Sequence, residues 1–216
     1  WEGLTYTVSF AEAAGPGVQQ SDVTVTYGSP MPDISSAKPV LAGYTFGGWY
    51  DTPSRTGGTQ YYTVDGKSAR NWDKASNGRL YPRWANNSYL LSFDANGGTG
   101  GRTEKLSATY AEAMPPIPDS RPTRTGYAFG GWWDTAAATG GTQYYTDLQK
   151  SARSWDKASN ATLYARWVPN TYTVEFDPNG GEGGQAESVA ATFGALMPTI
   201  PVDKPARAGY QFLGWY

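Results

Sequence analysis

An unbroken internal period constrains this 216-residue chain more than any other feature. Phe10, Phe93 and Phe176 stand 83 residues apart, and the same interval separates Met31, Met114 and Met197. Trp49, Trp132 and Trp215 keep it, as do Trp1, Trp84 and Trp167, with no insertion or deletion. Self-similarity at a fixed period marks a tandem array in which each copy is one structural unit. The chain reads as the tail of one unit (1–4), a first repeat (5–84), a second (88–167) and a truncated third (171–216). Such a register points to recent duplication, so identity between the copies says little about function.

Within a unit the local pattern is β. Thr5–Phe10 (TYTVSF) and Asp22–Tyr27 (DVTVTY) alternate β-branched and aromatic residues. Between the matching strands of the second and third copies lie Asp94–Gly98 (DANGG) and Asp177–Gly181 (DPNGG), whose Asn-Gly pairs favour turns. A Pro-rich connection follows, with Pro30, Pro32 and Pro39 in the first copy and Pro115, Pro116, Pro118 and Pro122 in the second. Helix does not run easily through it. Three further strands are expected around Gly43–Tyr50 (GYTFGGWY), Thr59–Val64 and Arg79–Trp84. Ser68–Lys74 is the only candidate helical turn, with Ser68 as a possible N-cap. The fold class is therefore mainly β, α+β at most.

The GYTFGGWY stretch returns as GYAFGGWW at 126–133 and GYQFLGWY at 209–216. The first copy (5–87) holds twelve aromatics against ten Val, Ile, Leu and Met, so the rings have to supply much of the core. Strand alternation puts Tyr44 and Phe46 on one face and Trp49 on the other, unless Gly47-Gly48 makes a bulge. Leu213 replaces the first glycine in the third copy while Gly214 stays, which marks Gly48 as the special backbone position.

Candidate chemistry is thin. Histidine and cysteine are both absent, which removes the commonest general base and metal ligand and every thiolate. A net charge of −2 with scattered charges offers no footprint for nucleic acid. No run approaches the ~18 apolar residues of a membrane span. The N-terminus carries no signal pattern, and the segment reads as the interior of a longer protein anchored outside it. The Asp94/Asn96 and Asp177/Asn179 loops offer oxygens to calcium, but hairpin turns are the better reading, because the first copy lacks both residues. Asp51, Asp73, Asp134 and Asp156 suggest a glycosidase pair less well than solvated loop acids. No catalytic, cofactor or metal site is expected. Arg70 with Trp72, and Arg153 with Trp155, are placed to stack as cation and ring, with a Trp plug beneath a loop as the plainer alternative. With Tyr61 and Tyr62 they are the residues a partner would touch.

The segments YTVEFDPNGG, YGSPMP, PTRTGYAFGGWW and ATLYARW, in this order and spacing, resemble the Listeria–Bacteroides repeat, the B-repeat type of internalins. The resemblance covers essentially the whole chain. It implies extracellular, multi-repeat bacterial cell-surface proteins with one small β-grasp (ubiquitin- or SUMO-like) domain per repeat of about 83 residues. The sequence departs from the pattern at Ala11–Gly15, which replaces the Asp-x-Asn-Gly-Gly loop, and at Pro82, where the second copy has Ala165. A proline is awkward in the central closing strand of such a sheet. In that arrangement the closing strand lies beside the first, so the third copy leaves Thr171–Phe176 with an unpaired edge.

Three functions follow, in order of support. A non-catalytic stalk or adhesion segment leads, because the chain offers repetition, short linkers and no catalytic groups. A repeat that itself binds a host or neighbouring surface protein comes next, then a carbohydrate-binding module using exposed aromatics. Exposure of Trp72, Tyr61 and Tyr62 discriminates: a binding platform shows its rings to solvent, and a stalk buries them.

Overall fold

A computed structural model describes residues 1–12, 19–118, 120–200 and 203–216. Every regular element among them is a strand, and no helix occurs. The first copy contributes β1 (Thr5–Phe10), β2 (Val23–Thr26), β3 (Tyr44–Tyr50), β4 (Gln60–Tyr62) and β5 (Gly78–Asn86). The second repeats the series as β6 (Ser88–Asp94), β7 (Leu106–Thr109), β8 (Tyr127–Trp133), β9 (Gln143–Tyr145) and β10 (Ala161–Pro169). The third supplies β11 (Thr171–Val174) and β12 (Val189–Thr192). Backbone contacts group the chain into two compact units. One is Trp1–Leu91, Leu106–Pro115 and Ser154–Ala161; the other is Ser92–Lys105, Pro116–Arg153 and Thr162–Tyr216.

In the first unit five strands form a sheet in the order β2-β1-β5-β3-β4. β1 runs antiparallel to β2 (Val8 opposite Val23) and parallel to β5 (Val8 opposite Gly78, Phe10 opposite Leu80). β3 is antiparallel to both β4 and β5. Alternation on β1 sends Val8 and Phe10 inward, where they join Val25, Met31, Leu80, Tyr61 and Tyr62 in one core. The second five-stranded sheet keeps the order, as β7-β6-β10-β8-β9.

Alternation on β3 breaks at its glycine pair, the exception the sequence left open. The β3–β5 register shifts between Phe46 and Trp49, a bulge that lets both rings enter the core. Gly48 carries it with φ of 102°, and a Cβ there would overlap the Tyr62 carbonyl oxygen. Trp49 then meets Phe10 (4.9 Å between centroids) and Phe46 (5.7 Å), and Phe46 meets Trp84 (5.6 Å), all edge-on. In the second unit Trp132 meets Phe93 at 5.0 Å and Phe129 at 5.4 Å, and Phe129 meets Trp167 at 5.9 Å. Edge-to-face rings at this spacing are the favoured aromatic geometry.

Pro82 sits in the middle of β5 at little cost. The Leu80 carbonyl accepts from the Ala11 amide, so Leu80 faces β1, and by alternation Pro82 faces the same side. β1 has already ended at Phe10, opposite Leu80, so the missing amide falls past the end of its neighbour. In the second copy the side chain of Asn96 reaches this place instead, donating to the Ala165 carbonyl at 3.0 Å.

Two sequence expectations are corrected. Ser68–Lys74 forms no helical turn, because its backbone is spent on neighbouring loops. Asn71 bridges Pro30, Ser68 bridges Tyr62, and the Ser68 hydroxyl accepts from the Met31 amide instead of capping a helix. Gly209–Tyr216 is not a strand: the strands that flank the same stretch in the first two copies have no counterpart among these residues. Its rings still gather, with Trp215 5.0 Å from Phe176 and 5.2 Å from Phe212. A cleft of about 690 Å³ opens between β11 and this segment.

Replacing Trp49 or Trp132 by alanine removes the ring on which the others converge, and each substitution should cost about 3–5 kcal/mol in denaturant unfolding. Melts that overlay the parent would show that the rings are not core. Gly48→Ala should destabilise by more than about 1 kcal/mol, through positive φ and the clash together.

Candidate functional site

Of the residues expected to meet a partner, Tyr61, Tyr62, Arg70 and Trp72 lie on β4 and the loop after it, and Arg153 and Trp155 hold the matching positions after β9 in the second copy. Trp72 lies beneath the loop, fully buried, with its ring 4.9 Å from that of Tyr61. Tyr61, Tyr62 and Trp155 are buried as well, so none of the four rings presents a face to solvent. The cluster shows its cations instead: Arg70 and Arg153 are exposed. Arg70 pairs with Asp73 at 2.6 Å and lies 5.6 Å from the centre of the Tyr61 ring; Arg153 stands at the same distance from Tyr144. In the first copy the indole is a plug, and the Arg70 guanidinium lies over the Tyr61 ring.

The acids of the cluster are committed to structure. Asp51 accepts from the Thr59 amide at 2.7 Å and from the Lys74 ammonium at 2.7 Å. Burial alone raises its pKa, but the Lys74 and Thr59 bonds outweigh it and hold the carboxyl below the ordinary aspartate value. Asp73 accepts from the Tyr61 hydroxyl and from Arg70. Burial, with the Asp73 charge beside it, drives the Tyr61 phenol well above its usual range. A glycosidase needs one carboxyl held protonated as the acid, and Asp51, shifted the opposite way, does not fit that one role. In the second copy the Thr142 amide likewise donates to Asp134, at 2.6 Å.

The Asp-x-Asn-Gly loops are turns. Asn96 and Asn179 both sit at φ of 49°, and each donates its amide to the preceding aspartate at 2.8 Å. No group of three acidic, histidine or cysteine side chains that could hold a metal occurs among the described residues. The first copy's substitute loop lies outside the described residues beyond Glu12.

A second cluster escaped the sequence reading. The ring of Tyr110, just after β7, lies against Gly43 and edge-on to Tyr44, 5.2 Å between centroids. Three backbone and side-chain bonds fasten this seam. The Asn87 amide donates to the Gly43 carbonyl (2.9 Å), the Tyr110 amide to the Asn87 carbonyl (2.8 Å), and the Asn86 side chain to the Tyr110 carbonyl (2.6 Å). In the other unit Phe193 takes the same place on Gly126 and Tyr127, 5.4 Å between centroids. The Asn170 amide again donates to Gly126 (2.9 Å) and the Phe193 amide to Asn170 (2.8 Å). Gly43 and Gly126 have φ near 80°, and a Cβ on either would enter the ring. The available signal was that Tyr27, Tyr110 and Phe193 keep the period, as do Gly43, Gly126 and Gly209.

Because the folded pKa of Asp51 lies below its unfolded value, the unfolded chain binds the proton more readily, and stability falls with falling pH. The contribution is complete above the ordinary aspartate pKa of about 4 and lost as pH drops through the folded value. Asp51→Asn should lower stability at neutral pH and flatten the acid limb of a stability–pH curve. An unchanged limb would show that the Lys74 pair has no role.

Comparison with known sequences gives the same pattern. The Listeria-Bacteroides repeat domain matches at residues 6–73, 89–166 and 172–216. Two proteins of Evansella cellulosilytica, named as membrane proteins and one of them as Gly-rich, are each 32% identical over the whole of this chain. Internalin H of Listeria monocytogenes is 33% identical over 81% of it. The chain spans 28%, 22% and 28% of the lengths of these relatives. It belongs to the Listeria-Bacteroides repeat family.

Proposed function

We propose that this chain is a non-catalytic stalk and adhesion segment of a bacterial cell-surface protein, built from tandem β-grasp units of about 83 residues. The units run 5–84 and 88–167, after a tail at 1–4, with a partial third at 171–216. The observation that carries the reading is the parallel pairing of the first and last strands of the first copy, Val8–Phe10 against Gly78–Leu80. The chain enters that sheet at the start of β1 and leaves it at the end of β5. Tension along the chain therefore pulls these neighbours in opposite directions along their length. The load falls on several ladder bonds at once instead of unzipping them singly, and each is costly to leave unmade. A sheet wired this way suits a load-bearing spacer.

Other features support the reading. The rings a binding platform would expose are buried. The relatives include proteins named as membrane proteins and an internalin. If the repeat meets a host protein or glycan directly, the exposed guanidinium group of Arg70, beside the buried rings of Tyr61, Tyr62 and Trp72, is a place for it in the first copy, and that of Arg153 in the second.

Single-molecule pulling on the purified chain tests the stalk. The two full copies should give two unfolding events of equal size, each releasing about 270 Å, from roughly 80 residues at about 3.4 Å each. Gradual extension without discrete events would sink the load-bearing reading. Saturable binding of a glycan or surface protein, abolished by Arg70→Ala with Arg153→Ala, would put the binding reading in its place.

A further inference from the structure

The bulge at Gly47-Gly48 shapes the outer face of the first sheet as well as its core. It sends Trp49 inward and leaves Tyr50 outward, on the face where alternation on β5 places Arg79, Tyr81 and Arg83. Tyr50 stands opposite Tyr81 in the β3–β5 ladder. The stem of Arg83 crosses the bare backbone of Gly47, where a Cβ would stand 3.4 Å from its Cγ. The Arg83 guanidinium lies 3.9 Å from the centre of the Tyr50 ring and donates to the Gly57 carbonyl at 2.6 Å. The second copy repeats the arrangement: Arg166 crosses Gly130, lies 3.9 Å from the Trp133 ring and donates to the Gly140 carbonyl at 2.7 Å. A guanidinium held in this way is positioned before any ligand arrives, which spares binding the cost of ordering it.

Charge on this face has one sign. Arg79 is exposed, opposite Ser9 of β1 and 5.9 Å from the Tyr81 ring centre. The five strands of the first copy contain Arg79 and Arg83 and no aspartate or glutamate, although the whole chain carries a net charge of −2. Ion pairs join Lys38 to Asp65, Lys67 to Asp33, Arg70 to Asp73 and Lys74 to Asp51. Among the described residues neither Arg79 nor Arg83 meets a carboxylate. Beside the arginines the outward positions are hydroxyls: Thr5 opposite Thr26, Thr7 opposite Thr24, then Ser9, and Thr45 on β3.

We propose that this outer face of the first copy binds an acidic polysaccharide, with sugar carboxylates on Arg79 and Arg83 and sugar hydroxyls along the threonine rows. The planar guanidinium fork matches a carboxylate in two parallel hydrogen bonds. Each serine and threonine hydroxyl both donates and accepts, as a sugar hydroxyl does. The face is the surface of a sheet, which suits an extended polymer, whereas small ligands take concave sites. Serine and threonine seldom anchor protein interfaces. A nucleic acid calls for a denser row of cations than two arginines. Thr162 stands where the first copy has Arg79, so the second copy holds half of the charge. The proposal goes beyond the load-bearing role and does not rest on it.

Heteronuclear NMR of the 216-residue chain tests it, with hyaluronan octasaccharide and octagalacturonate as probes, each to about 5 mM. Saturable shifts are expected at residues 79–83 and 5–9, and cellohexaose, which is uncharged, should produce none. Arg79→Ala, at an exposed position, should weaken binding about tenfold or more and melt where the parent melts. Arg70→Ala with Arg153→Ala should bind as the parent does. The proposal is overturned if neither acidic probe gives saturable shifts, or if Arg79→Ala binds as well as the parent. Binding that is lost in Arg70→Ala with Arg153→Ala and kept in Arg79→Ala also overturns it and moves the contact to the loop after β4. Tighter binding of a short oligothymidylate overturns it in favour of nucleic acid. None of these results bears on the pulling experiment, which reads the β1–β5 ladder bonds.

Discussion

One backbone position holds the rest of each copy in place: the glycine that breaks the alternation of β3. Without the bulge at Gly47-Gly48, Phe46 and Trp49 would face opposite sides of the sheet, and the aromatic chain from Phe10 through Trp49 and Phe46 to Trp84 would part at its centre. The bulge in turn needs positive φ and the absence of a side chain against Tyr62. The second copy solves the problem with Gly131 at φ of 98°. A core this poor in aliphatics depends on ring-to-ring contact, so the glycine and the rings are one requirement.

The same economy explains why the rings around Trp72 are buried. An indole there closes the end of the core where the sheet has only the three residues of β4. With Trp72 and Tyr61 drawn inward, the polar groups above them have to satisfy one another. Asp51 with Lys74, and Asp73 with Arg70 and Tyr61, do so. Acids held this way are stabilising elements, and their pairing does not by itself signal chemistry.

Strand positions were legible because a half-buried strand writes its alternation into sequence, and β1, β2 and the neighbourhood of β3 lie where the pattern puts them. What could not be read is whatever depends on contacts distant in sequence. Trp72, outside the expected strands, could be read as a plug or as a ring open to a partner, and only the packed core decides for the plug. Ser68 looks like an N-cap because its role, accepting from the Met31 amide 37 residues away, has no local signature. Pro82 looks disruptive until β1 is seen to stop opposite Leu80. The seam at Gly43 is the clearest case, since its glycine and its ring lie in different copies and neither has a motif of its own.

That seam also limits how separate successive copies can be. Tyr44 and Asn86 are the last pair of the β3–β5 ladder, and both touch Tyr110: one by its ring, the other by its side-chain amide. The seat for the next copy's ring therefore exists only while the sheet before it is closed. A ring that docks on such a seat favours the closed sheet by mass action, and it contributes nothing when that sheet is open. Stability in an array of this kind is the sum of each copy's own term and a nearest-neighbour term, and the second term is carried by a handful of atoms. The compact unit that joins Leu106–Pro115 to the first sheet is the structural trace of that coupling. Short linkers such as Asn87 gain their effect here. Its amide and carbonyl bond to the glycine turn on one side and the incoming ring on the other, so the linker is itself part of the seam.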